Sequence, residues 1–190
     1  MVDASRYDSW RRQLVGDLRG TVLELGAGRG ENLPHLPDGV RWLALEPNRG
    51  RARQLQRTTC RLRAVGVLRA GAEQLPLEDG SVDAVVTTFA LCSVRRPGAA
   101  VAEVRRVVRP GGRLVFLEHV GAPEGTAIRR LQAAVAPCNR LLDHGCDPTR
   151  DTEELLRSAG FAGLEVERFV VTGPLGLRID HIAGSAVVQV

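Results

Sequence analysis

The chain has 190 residues, 44% apolar and 25% charged, and its 26 basic residues against 22 acidic ones leave a net charge of +4. That length suits one domain with a proper core, and the composition excludes a disordered chain. Every basic residue is arginine, which excludes Schiff-base chemistry, a P-loop lysine and lysine general bases.

In chain order, residues 7–18 carry apolar side chains at helical spacing, and 1–19 is expected to form an N-terminal helix. Residues 21–25 read as a short buried strand ended by Gly26. A crossover helix is expected to begin at 31–36, with His35 on its surface, followed by a second strand at 40–45. Residues 49–57 are helical in pattern, and 64–70 form a third strand weakened by Gly66. The near-continuous apolar run 81–87 suits a central parallel strand covered on both faces. A helix at 98–108 is stopped by Pro110-Gly111-Gly112, and the next strand is 113–117. Residues 126–142 form an extra, partly helical segment, and Asp151 opens a helix through Ala159 that Gly160 caps. Two last strands, 164–171 and 179–190, finish the chain. Alternating strands and helices imply an α/β fold, a mostly parallel seven-stranded sheet with helices on both faces. Ligands of such sheets bind beyond the carboxyl ends of the strands.

The most informative segment is Glu24-Leu25-Gly26-Ala27-Gly28-Arg29-Gly30-Glu31-Asn32. Three alternating glycines permit positive φ and a close approach of backbone to ligand, with loop amides free to meet its oxygens. Dinucleotide loops want G-x-G-x-x-G, but Glu31 stands where the third glycine belongs, and pyrophosphate would sit badly beside Glu24 and Glu31. A zwitterionic amino-acid tail suits this loop better. Glu46, twenty residues after Gly26 at the end of the second strand, is placed to hold the hydroxyls of a ribose.

Glu24 to Gly30, followed by Glu46-Pro47-Asn48, resembles the nucleoside-binding half of class I S-adenosylmethionine-dependent methyltransferases. Residues 72–83 resemble that family's adenine-contacting segment and fourth strand, and residues 105–114 its entry to the fifth strand. Leu91-Cys92-Ser93-Val94, Leu117-Glu118-His119-Val120, Gly145-Cys146-Asp147-Pro148-Thr149-Arg150, Pro174 and His181-Ile182 resemble, more narrowly, the methyltransferase-like 7 proteins, which are alkyl-thiol methyltransferases, and their bacterial relatives. The resemblance implies a Rossmann-like methyltransferase sandwich with an antiparallel last strand, spanning 1–190 as one domain, with 121–150 as an acceptor-side insertion or lid. It implies S-adenosylmethionine as cofactor, with S-adenosylhomocysteine as product. Gly26, Gly28 and Gly30 would border the methionine moiety, Glu46 would hold the ribose, and Ala72 with Glu73 would meet the adenine. Gly71 stands where many members carry an acid, so the backbone of Ala72 would replace it. Phe89 and Ala90 would line the far side, and Glu24, Ala27, Asn32, Pro47, Asn48 and Tyr7 belong to the same expected cofactor site.

For the acceptor, His119 on the ligand-facing rim is the first choice of base, and Asp143-His144 in the inserted segment the second. His181 is expected at the core edge. Cys92 lies near the expected transfer point. With no CxxC spacing among Cys60, Cys92, Cys138 and Cys146, each is read as a small buried hydrophobe, and no metal is expected. The partner is expected to be a small molecule, a thiol before a hydroxyl. A pI of 9.4 hints at nucleic acid, yet the arginines run singly and in pairs from Arg6 to Arg178 with no basic run of five, so no nucleic-acid partner is expected. No stretch of eighteen apolar residues and no apolar leader or anchor occur, so the expected setting is the cytoplasm with no membrane. The sequence leaves monomer and homodimer equally open. Three other readings stay open: a cofactor-binding protein that does not methylate, a nucleic-acid methyltransferase, and an NAD-dependent oxidoreductase.

Overall fold

A computed structural model describes residues 4–59, 66–142, 145–172 and 178–189. Its elements in order are α1 (Ala4–Val15), β1 (Thr21–Leu25), β2 (Arg41–Leu45), α2 (Arg49–Thr59), β3 (Gly66–Leu68), β4 (Val82–Thr88) and α3 (Pro97–Val107). Then follow β5 (Val108–His119), α4 (Ala127–Leu142), α5 (Thr152–Ser158), β6 (Ala162–Thr172) and β7 (Arg178–Val187). The strands form one sheet in the order β3-β2-β1-β4-β5-β7-β6. β7 pairs antiparallel with both neighbours, and the other pairs are parallel. The order reverses between β1 and β4, so their carboxyl ends diverge around a crevice.

Alternation along the central strands splits the core into two faces. Leu23, Leu25, Val85, Phe116 and Ile182 pack on one side with Ala100, Val101, Val104 and Val107 of α3. Val22, Ala84, Val86, Val115 and Leu117 pack on the other with Leu14, Val15 and Leu18. The apolar run of β4 is buried on both faces, as its composition requires. Asp151 caps α5 by accepting the Glu154 N–H at 3.0 Å. No described helix is long and apolar enough to cross a membrane.

Three details depart from the sequence reading. Residues 31–36 make no crossover helix; the chain forms a three-residue 3-10 turn, Leu33–His35, because Pro34 and Pro37 lack the N–H groups a longer helix needs. His35 is therefore not on a helix surface: its side chain is 13% exposed, with Nε2 3.6 Å from Asp8 Oδ1. β5 begins at Val108 rather than 113, and the Pro110-Gly111-Gly112 segment becomes a break in register, with Val82 opposite Val108 but Ala84 opposite Arg113. Among the cysteines, Cys92 and Cys146 are buried but Cys138 is exposed on α4. Cys60, Asp143, His144 and Pro174 lie outside the described residues.

Candidate active site

β1 ends in a sharp turn at which Gly26, Gly28 and Gly30 adopt φ of +63°, +57° and +81°. At Gly26 a Cβ would also stand 3.1 Å from Ala90 Cβ, so glycine lets the loops after β1 and β4 close on each other. Between these loops and the end of β2 lies a cleft of about 910 Å³. Glu46, buried at the end of β2, accepts the Gly28 N–H at 3.0 Å on Oε2; its Oε1 accepts the Asn48 N–H at 2.8 Å and Arg51 Nε–H at 3.2 Å. The loop amides are less free than expected. Ala27 N–H goes to the Leu45 carbonyl at 2.9 Å and Gly30 N–H to the Ala27 carbonyl at 2.7 Å, so the turn is built onto β2 and its carboxylate.

Glu24 lies beneath that turn, with Trp42 Nε1–H donating to Oε2 at 2.9 Å and Asn32 Nδ2 to Oε1 at 3.0 Å. Burial pushes its carboxyl up to about 7, outweighing these two bonds and the nearby Arg11 charge. Asn32 also donates to Thr88 Oγ1 at 2.6 Å, tying β1 to β4. Two buried atoms here have no hydrogen-bond partner among the described residues, Arg11 Nε and Asn32 Oδ1.

At the other end of the cleft, Phe89 leaves β4 with φ of +55°, a conformation that costs a side chain about 1–3 kcal/mol. Its neighbours hold it there: its N–H donates to the Leu117 carbonyl at 2.8 Å, and its ring meets Tyr7 at 5.2 Å and His119 at 4.7 Å. Glu118 fastens the rest of the loop. Its Oε1 accepts Thr87 Oγ1 at 2.7 Å and the N–H groups of Ala90 and Leu91 at 3.1 and 3.0 Å, while Oε2 accepts Cys92 N–H at 3.1 Å. Burial raises this carboxyl, and the four donors offset only part of the rise. His119 follows on the rim, with Cys92 and Cys146 against its ring nitrogen. The Cys92 thiol is held well above its ordinary value by its bond with Cys146 and by burial.

Of the expected residues, Glu24, Gly26, Ala27, Gly28, Glu46, Pro47, Ala72, Glu73, Phe89, Ala90 and His119 line the cleft. Gly30 instead lets the turn pack on Leu55 and Trp42, and Asn32 sits behind Glu24. Asn48 braces Glu46 and accepts the Arg51 N–H on Oδ1 at 3.0 Å, opening α2. Tyr7 packs α1 down: it contacts Phe89, and its hydroxyl meets His181 Nε2 at 2.9 Å. His181 Nδ1 donates to the Ile179 carbonyl at 2.9 Å, and the residue is wholly buried. Of the described residues between 121 and 150, Cys146 lines the cleft. Sequence reasoning missed Arg11, Arg51, Ser93 and Cys146 as lining residues. Arg11 had a signal, lying one turn after Tyr7 on α1; Cys146 lay in the 145–150 motif of the expected acceptor-side insertion, without anything there to mark it as a lining residue.

Residues 23–116 match the methyltransferase domain family. Human thiol S-methyltransferase TMT1B is 34% identical over 200 aligned residues, covering 96% of this chain and 80% of that protein. A protein taken to be a methyltransferase from Bacillus halodurans C-125 superposes with a TM-score of 0.77 at 16% identity, over 98% of this chain and all of that one. Geranyl diphosphate methyltransferase in complex with S-adenosylmethionine superposes at 0.75, also 16% identical, over 97% and 85%. The glycine turn, the buried Glu46 and these likenesses agree, and the chain belongs to the family of S-adenosylmethionine-dependent methyltransferases that includes TMT1B.

Proposed function

We propose that this enzyme methylates the sulfur of a small-molecule thiol. Its donor end has the chemistry of a zwitterion with a nucleoside attached. The Arg11 guanidinium, with Nε unpartnered among the described residues, suits a carboxylate, and Glu24 on the cleft wall suits an ammonium. Glu46 one strand away suits ribose hydroxyls, and Ala72 with Glu73 suits the adenine edge. Bound S-adenosylmethionine supplies a methyl carbon already activated by its sulfonium. What remains for the chain is to align the acceptor and exclude water.

The acceptor class follows from which bases face the cleft. Its lining carboxylates, Glu24, Glu31, Glu46 and Glu73, all precede β4 in the chain. Glu118, past β4, is engaged by four donors. His119 is therefore the one general base among the described lining residues past β4, flanked by Phe89, Cys92 and Cys146. A hydroxyl acceptor depends more strictly on a general base, whereas a thiol ionises near pH about 8.5 and needs little help. This apolar, sulfur-rich end, with His119 the imidazole that lines it among the described residues, carries the thiol reading, and the likeness to TMT1B supports it.

The test is transfer of labelled methyl from S-adenosylmethionine to a panel of thiols, phenols and amines. Label should appear in thioethers, and His119→Ala should lower kcat/KM for thiols by roughly 100-fold. Label confined to phenols or amines would overturn the assignment.

A further inference from the structure

Three segments far apart in sequence bring soft donor atoms to one point at the acceptor end of the cleft. Cys92 Sγ stands 4.0 Å from His119 Nδ1 and 3.9 Å from Cys146 Sγ, and Cys146 Sγ stands 3.5 Å from the same nitrogen. We propose that Cys92, His119 and Cys146 form a binding site for a thiophilic divalent cation, Zn²⁺, with a fourth coordination position open to the cleft. Spacing in the sequence gave no hint of it; topology makes the cluster.

Distances support the assignment. Zinc takes thiolates at about 2.3 Å and imidazole at about 2.0–2.1 Å in a tetrahedral array, which sets two sulfurs about 3.8 Å apart and a sulfur and nitrogen about 3.6 Å apart. The three separations above lie within about 0.4 Å of that array. A disulfide would need the sulfurs at about 2.05 Å, far closer than they stand.

Packed thiols alone would account for one such contact. They would not account for the frame that holds all three ligands. The Cys92 N–H is fixed by Glu118, the residue before His119. Asp147 N–H donates to the Cys92 carbonyl at 2.9 Å, and Arg150 Nη1 donates to the Leu91 and Val94 carbonyls at 2.6 and 2.8 Å, so the two cysteine-bearing loops are stapled together. Gly145 makes their approach possible: its φ is +95°, and a Cβ there would lie 2.7 Å from the Ser93 carbonyl oxygen. Ligands held this way are preorganised by their surroundings. All three line the cleft and, among the described residues, they are the ligands of the cluster, which leaves one vertex for an exogenous group. Three protein ligands and one open position is the arrangement of a catalytic rather than a structural zinc.

The use of that vertex rests on the thiol reading above. With the metal bound, His119 serves as a ligand and no longer as a base: the acceptor's sulfur becomes the fourth ligand, the cation lowers its S–H pKa, and the proton leaves to solvent. A sulfur lone pair then forms the new S–CH₃ bond as the sulfonium S–CH₃ bond of the donor breaks.

The experiment is titration of the phosphine-reduced chain with Zn²⁺ and with Co²⁺, without donor or acceptor. One equivalent of either should bind, Co²⁺ with the near-ultraviolet charge-transfer band of a thiolate ligand. Cys92→Ser, Cys146→Ser and His119→Ala should each weaken uptake at least about 100-fold, with thermal melting used to select the variants that fold. Cys138→Ser, on exposed α4, should bind as the wild type does. Addition of 2-mercaptoethanol should change the Co²⁺ spectrum. No uptake by the reduced chain, equal uptake by Cys92→Ser, or a Cys92–Cys146 disulfide forming in a chain that takes up no metal would each overturn the site. A spectrum indifferent to thiol would overturn the open vertex. Because binding is read apart from turnover, a chain that binds zinc but methylates no thiol contradicts only the acceptor reading. One that methylates thiols undiminished after chelation contradicts only the role of the metal.

Discussion

Glu24 and Gly26 show how single residues set the properties of the glycine-turn end of the cleft. Glu24 keeps its proton in the folded chain to pH about 7, against 4.5 for an ordinary glutamate, because burial costs its charge more than Trp42 and Asn32 return. The folded state thus holds a proton that the unfolded state has lost. Its contribution to stability is full below pH 4.5 and disappears as the pH rises to about 7, a change of about 3 kcal/mol. Urea unfolding at pH 4.5 and 7.5 should show wild type losing that amount relative to Glu24→Gln, whose amide cannot titrate. Parallel curves would contradict the assignment. The glutamine's own cost, an N–H₂ turned toward a donor, is the same at both pH values. Gly26→Ala acts through shape instead. A positive φ and a Cβ 3.1 Å from Ala90 should cost about 1–2 kcal/mol and weaken S-adenosylhomocysteine binding at least about tenfold, read by denaturation and by calorimetry.

At the scale of elements, the loop after β4 is the part most dependent on one side chain. Glu118→Ala would strand the amides of Ala90, Leu91 and Cys92 and the Thr87 hydroxyl in a dry interior. The expected loss is about 3 kcal/mol, a drop in Tm of about 10 °C, measured by thermal melting. A drop of only a degree or two would mean that the loop is held by packing alone. This dependence was not legible in the sequence, because Glu118 reaches partners 26 to 31 residues away. The elements themselves were legible wherever periodicity ran unbroken, as in β1, β4 and α3. The expected crossover helix failed because its apolar spacing was read without the weight of Pro34 and Pro37. The register break before Arg113 was hidden in a Pro-Gly-Gly segment that reads from sequence as a plain stop.

For the whole molecule, the topology was legible, since a glycine turn and an acid one strand over mark a sheet of this kind, and the structure brings those residues together along one cleft. The acceptor end was not, because Cys92, His119 and Cys146 meet only when the β4 loop, β5 and the 145–150 turn are in place. Net charge also reads differently in three dimensions. Arg106 pairs with Glu103 and Asp79, Arg109 with Asp83, Arg113 with Asp17, and Arg168 with Glu153, so much of the basic excess is interleaved with acid. RNA binding in a filter assay at physiological salt should be weaker than about 100 µM. Tight, strongly salt-dependent binding would reopen the nucleic-acid reading.

The proposed activity depends above all on the donor lying between the Gly26–Gly28 turn and Glu46. Isothermal calorimetry with S-adenosylhomocysteine, on wild type and Glu46→Ala, tests this directly. Saturable binding to one site, weakened roughly 10- to 100-fold by the substitution, is the predicted result. Absence of binding to the wild-type chain, or equal affinity in the variant, would contradict it.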